Sequence, residues 1–251
     1  MKSLLVEKIK QKKELRGLAD EFVKQELESY LEKTHTPFPL DYKSEKVIIK
    51  AVRAELRRYV GRFQSSKKHE NLLEAKDYSA ILKTHASTRE RLPHYEILKK
   101  IIHSLKPKTI LDIGCGLNPI ALAEPGIAYY ACDIKEDELK LVESFFKAKG
   151  ITGRVFFADA RTERNFPKTN LALVLKVIDL LDNKGHKRAE ELIRSLDCDN
   201  IIVSFSTKTL SARPMNHPQR GWIERLATRL GYTFKLIKSP NELFYIIQKH
   251  P

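Results

Sequence analysis

From Lys108 onward, short apolar runs alternate with stretches of helical period. The runs are 109–113, 127–132, 153–158, 171–177, 200–205, 232–237 and 243–248, and helices are expected between them over 135–149 and 184–196. Strands that return to one sheet in parallel need a crossover, usually a helix, so this alternation predicts an α/β domain with a largely parallel sheet. The last two runs, YTFKLI and LFYIIQ, are separated only by a short turn carrying Ser239-Pro240-Asn241. They read as an antiparallel pair at the end of the sheet.

The first 88 residues have a different texture, with helical periodicity and no convincing strand. Leu4, Leu5, Ile9, Leu15, Leu18, Phe22, Leu27 and Leu31 fall roughly on one helical face, which predicts a helix over 3–33. Pro37 and Pro39 break the pattern, and further helices are expected over 43–63, 68–83 and 89–105. The division predicted is a helical unit, 1–88, and an α/β unit, 89–251.

With 251 residues and 42% hydrophobic content, the chain can bury a sizeable core. No apolar run approaches the roughly 18 residues of a membrane span, and the basic N-terminus lacks a signal-type cleavage site. A soluble protein of the cytoplasm, with no membrane partner, is the expectation. Cys115, Cys132 and Cys198 are far apart, form no CxxC pair and offer neither a disulfide framework nor a metal site. The formal net charge of +14 points instead to a polyanionic partner, usually nucleic acid.

The segment LDIGCGLNPIAL, 111–122, follows the first strand. Gly114 and Gly116 allow a tight turn and close approach of a ligand, Asn118 is a suitable N-cap, and Pro119 suits a first helical position. Pro119 also occupies the third glycine position of the dinucleotide fingerprint, so that motif fails. Asp133 closes the next strand, 17 residues beyond Gly116, where an acid meets a ribose in this architecture. Asp159 ends the third strand, where it could orient an adenine amine. Asp112, Asp133 and Asp159 at three successive strand ends suggest S-adenosylmethionine rather than NAD as cofactor.

At this point the sequence resembles a known family. HASTRERL (85–92), LDIGCGLNPIAL, ACDI (131–134), LALVLKVIDLL (171–181), VSFSTKTLSAR (203–213) and NELFYIIQK (241–249) look like the aminoglycoside-resistance 16S rRNA methyltransferases. Those enzymes methylate N7 of a guanine in the decoding region, using S-adenosylmethionine. The resemblance covers the C-terminal two thirds of the chain. It implies a Rossmann-like methyltransferase fold behind a helical, RNA-binding N-terminal domain, with small-subunit rRNA or the 30S subunit as partner and the enzyme a monomer.

The resemblance also implies roles. Arg91 would pair with the cofactor's carboxylate, and His85 would line the same pocket, unless it is simply a packed helix-end histidine. Gly114 and Gly116 would floor the site, Asp133 and Ile134 would hold ribose and adenine, and Asp159 and Ala160 would flank the adenine. Leu175 and Lys176 would stand beside the reacting methyl. Two positions depart from the family pattern: Asp179 stands where the family has proline, and residues 211–218 replace a Gly-rich loop with a GME stretch. Both lie where the target base should enter. Asp179 therefore opens an alternative, methylation of a cytidine N4 amine with that carboxylate as proton acceptor, although it could equally cap the following turn.

For RNA contact, Arg53, Arg57, Arg58 and Arg62 form a stripe on the second helix, extended by Lys67 and Lys68, with Arg213 on the target side. Trp222 and Phe205 could present stacking surfaces, though core packing is the first reading of both. Two other classes of function remain open at this stage. One is a non-catalytic ribosome-binding factor on a methyltransferase fold, which the intact Gly114, Gly116, Asp133 and Arg91 oppose. The other is a small-molecule methyltransferase, which the charge and the basic helical extension oppose.

Overall fold

The computed structural model describes residues 2–37, 39–60, 71–182, 185–208, 213, 215 and 218–249. Three helices come first, α1 (Lys2–Lys10), α2 (Asp20–Lys33) and α3 (Tyr42–Leu56). Then follow α4 (Tyr78–Thr84), α5 (Ala86–Arg91), α6 (Tyr95–Ser104), β1 (Thr109–Ile113), the single turn α7 (Pro119–Leu122) and β2 (Ala128–Asp133). The chain continues through α8 (Glu136–Lys149), β3 (Gly153–Phe157), β4 (Thr169–Leu175), α9 (Lys187–Ser195), β5 (Cys198–Ser206), α10 (Gly221–Arg229), β6 (Thr233–Ser239) and β7 (Glu242–Gln248).

All seven expected strands form, in one sheet of order β3-β2-β1-β4-β5-β7-β6. β1 to β5 run parallel, and β7 inserts antiparallel between β5 and β6. The strand order reverses between β1 and β4, which makes the carboxyl ends of those strands the place for a ligand. Along β4 the side chains alternate: Leu171, Leu173 and Leu175 join the layer under α4, α6 and α8, whereas Ala172 and Val174 join the layer under α9 and α10.

The expected helix over 3–33 is broken. A 3-10 turn at Lys13–Leu15 leads to an isolated bridge between Leu18 and Lys135, and the Ala19 N–H donates to the Ile134 carbonyl at 2.9 Å. Helical backbone could not offer those groups outward. Gly17 lies at this junction, where an added Cβ would come 2.3 Å from Asp137 Oδ2. The segment thus docks α1 to α3, which share an apolar cluster centred on Phe22, Leu27 and Leu56, onto the end of β2.

Ile81 and Leu82 of α4 pack with the sheet, while the buried residues of the N-terminal cluster, among those described, run from Leu5 to Leu56. The helix expected over 89–105 also splits into α5 and α6 around a 3-10 turn that holds Pro93.

Candidate active site

The turn after β1 is built by glycine where the fold needs it. Gly114 has φ +62°, and a Cβ there would stand 2.5 Å from Val177 Cγ2, so the turn lies directly against the segment after β4. Gly116 has φ +49° and faces His85 and Glu138. Pro119 is the first residue of α7, as expected, but Asn118 makes no side-chain cap. Its Oδ1 instead accepts from Arg91 Nη1 at 2.6 Å and from the Tyr95 hydroxyl at 2.8 Å.

Asp133 sits at the end of β2, buried, with its carboxylate turned to the glycine turn. Oδ2 accepts from the Gly116 N–H at 2.9 Å, and Oδ1 from the Ile134 and Lys135 N–H groups at 2.7 and 3.1 Å. Burial and the nearby Glu138 raise its proton affinity above the usual carboxylate range, against the pull of Lys135 and those N–H groups. Lys135 Nζ pairs with Glu138 Oε1 at 2.9 Å and lies 3.4 Å from His85 Nε2. His85 is a packed residue at the start of α5, its Nδ1 2.9 Å from Ser87 Oγ, and it also flanks Gly116.

Arg91 is fully buried and already has a carboxylate partner within the chain. Nε donates to Glu242 Oε2 at 2.9 Å and Nη2 to Glu242 Oε1 at 2.6 Å, a two-pronged pair. Burial disfavours the guanidinium charge, but the Glu242 carboxylate more than offsets it and holds the arginine protonated. The arginine from which a cofactor contact was expected thus also holds a carboxylate of the chain itself. Glu242 also receives the Ser204 hydroxyl, and Ser204 Oγ and its carbonyl both accept from the Lys176 N–H at 3.1 Å. Lys176 follows β4 in a left-handed conformation, φ +60°, unusual for a residue with a side chain. One buried hub thus ties α5, the glycine turn, the end of β4, β5 and β7 together. Leu175, the last residue of β4, is buried beside it, and Lys176 Nζ reaches Glu90 Oε2 at 3.1 Å.

Asp159 is likewise engaged. Its carboxylate takes the Arg161 side chain at 2.6 to 3.0 Å, and Arg161 continues to Glu26 of α2 at 2.6 Å and to the Tyr59 hydroxyl at 2.9 Å. The Arg161 guanidinium also covers the rings of Phe22 and Tyr59 at 4.8 and 4.6 Å. Asp159, expected to flank the adenine, is thereby linked through Arg161 to Glu26 of α2. Ile134 is packed against the N-terminal cluster, and Ala160, next to Asp159 in sequence, is buried.

Asp112, on β1, is fully buried. Tyr129 donates to Oδ2 at 2.8 Å, and Oδ1 has no hydrogen-bond partner. Burial pushes its pKa up to about 7, with the Tyr129 hydrogen bond and Arg91 opposing the shift and Asp133 adding to it. All three cysteines are buried, and burial raises the thiol pKa of each, so none is a ready nucleophile. Among the described residues no cluster of His, Cys, Asp and Glu could hold a metal ion. Among the described residues no helix is long and apolar enough to cross a membrane.

Asp179 stands in a short 3-10 turn after β4, half exposed, and pairs with Arg220 Nη2 at 3.2 Å. The arginine stripe divides. Arg53 is turned inward, donating to the Ile9 and Lys8 carbonyls at the end of α1. Arg57 and Arg58 are exposed and pair with Glu14 and Glu55. Arg213 is exposed. Arg62, Lys67 and Lys68, with 209–212, 214, 216 and 217 of the target-side segment, lie outside the described residues.

The residues that sequence reasoning missed are Glu242, Ser204, Arg161 and the true role of Asn118. Arg91 and Glu242 are separated by 151 positions, so no local spacing joins them. A single acid heading an otherwise apolar strand was the only trace.

Comparison with known proteins agrees with this geometry. The model of the family described as ribosomal RNA methyltransferase (FmrO) matches residues 48–246. The 16S rRNA (guanine(1405)-N(7))-methyltransferase of Serratia marcescens is 34% identical over 177 residues, 68% of this chain and 70% of that protein. The enzyme of the same description from Micromonospora echinospora is 32% identical, over 67% of this chain and 64% of its own length. In three dimensions the chain superposes on the 16S rRNA methylase RmtB with a TM-score of 0.80 at 28% identity, covering 100% of this chain and 99% of that one. On the 16S rRNA methyltransferase RmtF, solved with S-adenosyl-L-homocysteine, the TM-score is 0.78 at 25% identity, over 99% and 98% of the two chains. The reversal point between β1 and β4, the glycine turn facing Asp133, and a match that runs through both of them make the chain a member of the ribosomal RNA methyltransferase (FmrO) family, an enzyme dependent on S-adenosylmethionine.

Proposed function

We propose that the protein methylates N7 of a guanine in 16S rRNA, the base equivalent to the guanine 1405 named for its relatives. The observation that carries the proposal is the glycine turn at the sheet's reversal point, facing a buried acid at the end of β2, within a chain of this family. The residues present suit S-adenosylmethionine. Gly116 leaves a space bounded by Glu138 and His85, 3.4 and 3.6 Å from where a Cβ would stand. A buried carboxylate oxygen of Asp112 lacks a donor in the same region.

On this reading Asp133 accepts from the ribose hydroxyls, its backbone donors holding the carboxylate in place. Gly114 and Gly116 let the methionine moiety lie against the main chain, and Ile134, Ala160 and Leu175 supply apolar walls. The cofactor supplies an electrophilic methyl on a sulfonium. Arg91 works at one remove, fixing Asn118 beneath the turn and Glu242 behind Ser204, so that Lys176 is held beside the target base. Guanine N7 carries an in-plane lone pair, so the chain has no proton to remove and needs chiefly to position the base and exclude water. Asp179, paired with Arg220, is not needed as an acceptor. The base must leave its stack to be reached, and exposed Arg57 and Arg58 give phosphate contacts remote from the turn.

The test is transfer of labelled methyl groups from S-adenosylmethionine to small subunits from an unmodified strain. The parent should label the 16S rRNA. Asp133→Ala should lose most cofactor affinity, on the order of 1–3 kcal/mol, while staying folded. Unchanged affinity would remove Asp133 from the site, and absence of labelling by the parent would remove the activity.

A further inference from the structure

A second feature adjoins the target side. Trp222, the chain's single tryptophan, lies in the first turn of α10. His186, exposed at the start of α9, stacks flat on its indole, with ring centroids 3.9 Å apart and planes 5° from parallel. Phe205, fully buried at the end of β5, meets the indole edge-on at 6.0 Å. Trp222 is therefore only half a core residue. Its inner side is packed, and its outer side forms part of a cleft of about 360 Å³ with His186, Glu190, Arg225, Leu226 and Arg229.

The cleft's place and charge both indicate an occupant. Phe205 directly follows Ser204, the residue that holds the Lys176 N–H. Arg220, just before α10, covers the Phe205 ring at 5.3 Å and reaches Asp179. The aromatic pair thus stands one side chain beyond the ends of β4 and β5, on the side where the base enters. Arg229 is neutralised by Glu190 at 2.5 Å. Arg225 is exposed and makes no ion pair or hydrogen bond among the described residues. A flat aromatic surface beside an uncompensated guanidinium matches one nucleotide: a ring to stack and a phosphate to neutralise.

We propose that this cleft is a second RNA subsite, in which a nucleobase of the rRNA substrate other than the methylated guanine stacks on the His186–Trp222 pair while Arg225 holds its phosphate. The inference rests on the rRNA-methyltransferase reading and adds a contact on the α9–α10 face, away from the N-terminal helices. Stacking tolerates any base, so the subsite contributes affinity and register without reading sequence.

The experiment measures binding of 30S subunits across a salt series, together with cofactor affinity, for the parent, Arg225→Glu, His186→Ala and His186→Tyr. Both residues are exposed, so the variants keep the fold, and cofactor affinity should not change. Arg225→Glu should weaken 30S binding at least tenfold and lower the salt slope by about one. His186→Ala should weaken it about fivefold or more, and His186→Tyr should restore it by keeping a stackable ring. His186→Ala at parental affinity, or an Arg225→Glu loss without change in salt slope (the signature of a ribosomal-protein contact), overturns the subsite. Failure of the parent itself to bind and methylate 30S would show that the underlying reading is wrong, and would be seen before any variant is compared.

Discussion

Glu242, the first residue of β7, and Arg91, the last of α5, close a two-pronged ion pair at 2.9 and 2.6 Å with both side chains 1% exposed. A pair so deeply desolvated contributes little net stability, but removing one partner strands the other. Glu242→Ala should lower unfolding free energy by about 3–5 kcal/mol in urea titrations, and a loss below about 1 kcal/mol would mean that Arg91 finds another partner.

Arg161 joins the two units through Asp159, Glu26 and Tyr59. A planar fork serves all three directions at once, which an ammonium cannot do. Arg161→Lys should therefore behave nearly as badly as Arg161→Ala, each losing about 2–4 kcal/mol. Proteolysis should then release the N-terminal helices before the sheet domain is cut. Full rescue by lysine would reduce the join to simple charge attraction.

The buried Asp112 gives the fold a pH dependence of known sign. In the unfolded chain its carboxyl ionises near 3.8, whereas in the folded chain it keeps its proton to about 7. Between those values the folded state binds more protons, so stability falls as pH rises through the window, by about 4 kcal/mol at most. Asp112→Asn keeps an acceptor for Tyr129 and removes the titration. The drop in melting temperature from pH 5 to pH 8 should be smaller in this variant than in the parent. An identical drop in both would assign the pH dependence to other groups.

The sheet was legible because its cause is local. Each strand is a short apolar run, and the crossover requirement follows from the runs between them, so all seven strands appear where the pattern puts them. Gly114, Gly116 and Asp133 were legible for a similar reason, since one turn and the end of the next strand come together in any fold of this class. The partners of buried charge were not. Nothing near Arg91 announces Glu242, and nothing near Asp159 shows that Arg161 will reach Glu26, 135 positions away. Helical spacing defines a face but not whether that face meets solvent: of the arginine stripe, Arg53 lies against the end of α1, while Arg57 and Arg58 are exposed.

The central claim is a methyl placed on guanine N7, and the product nucleoside tests it most directly. Small subunits from an unmodified strain, incubated with the protein and S-adenosylmethionine, would be digested to nucleosides and analysed by mass spectrometry, with the site mapped by cleavage at the modified base. The account predicts 7-methylguanosine at the position equivalent to 1405, and an Asp179→Ala variant that forms it at the parental rate. A methylated cytidine, lost in the Asp179→Ala variant, would contradict it.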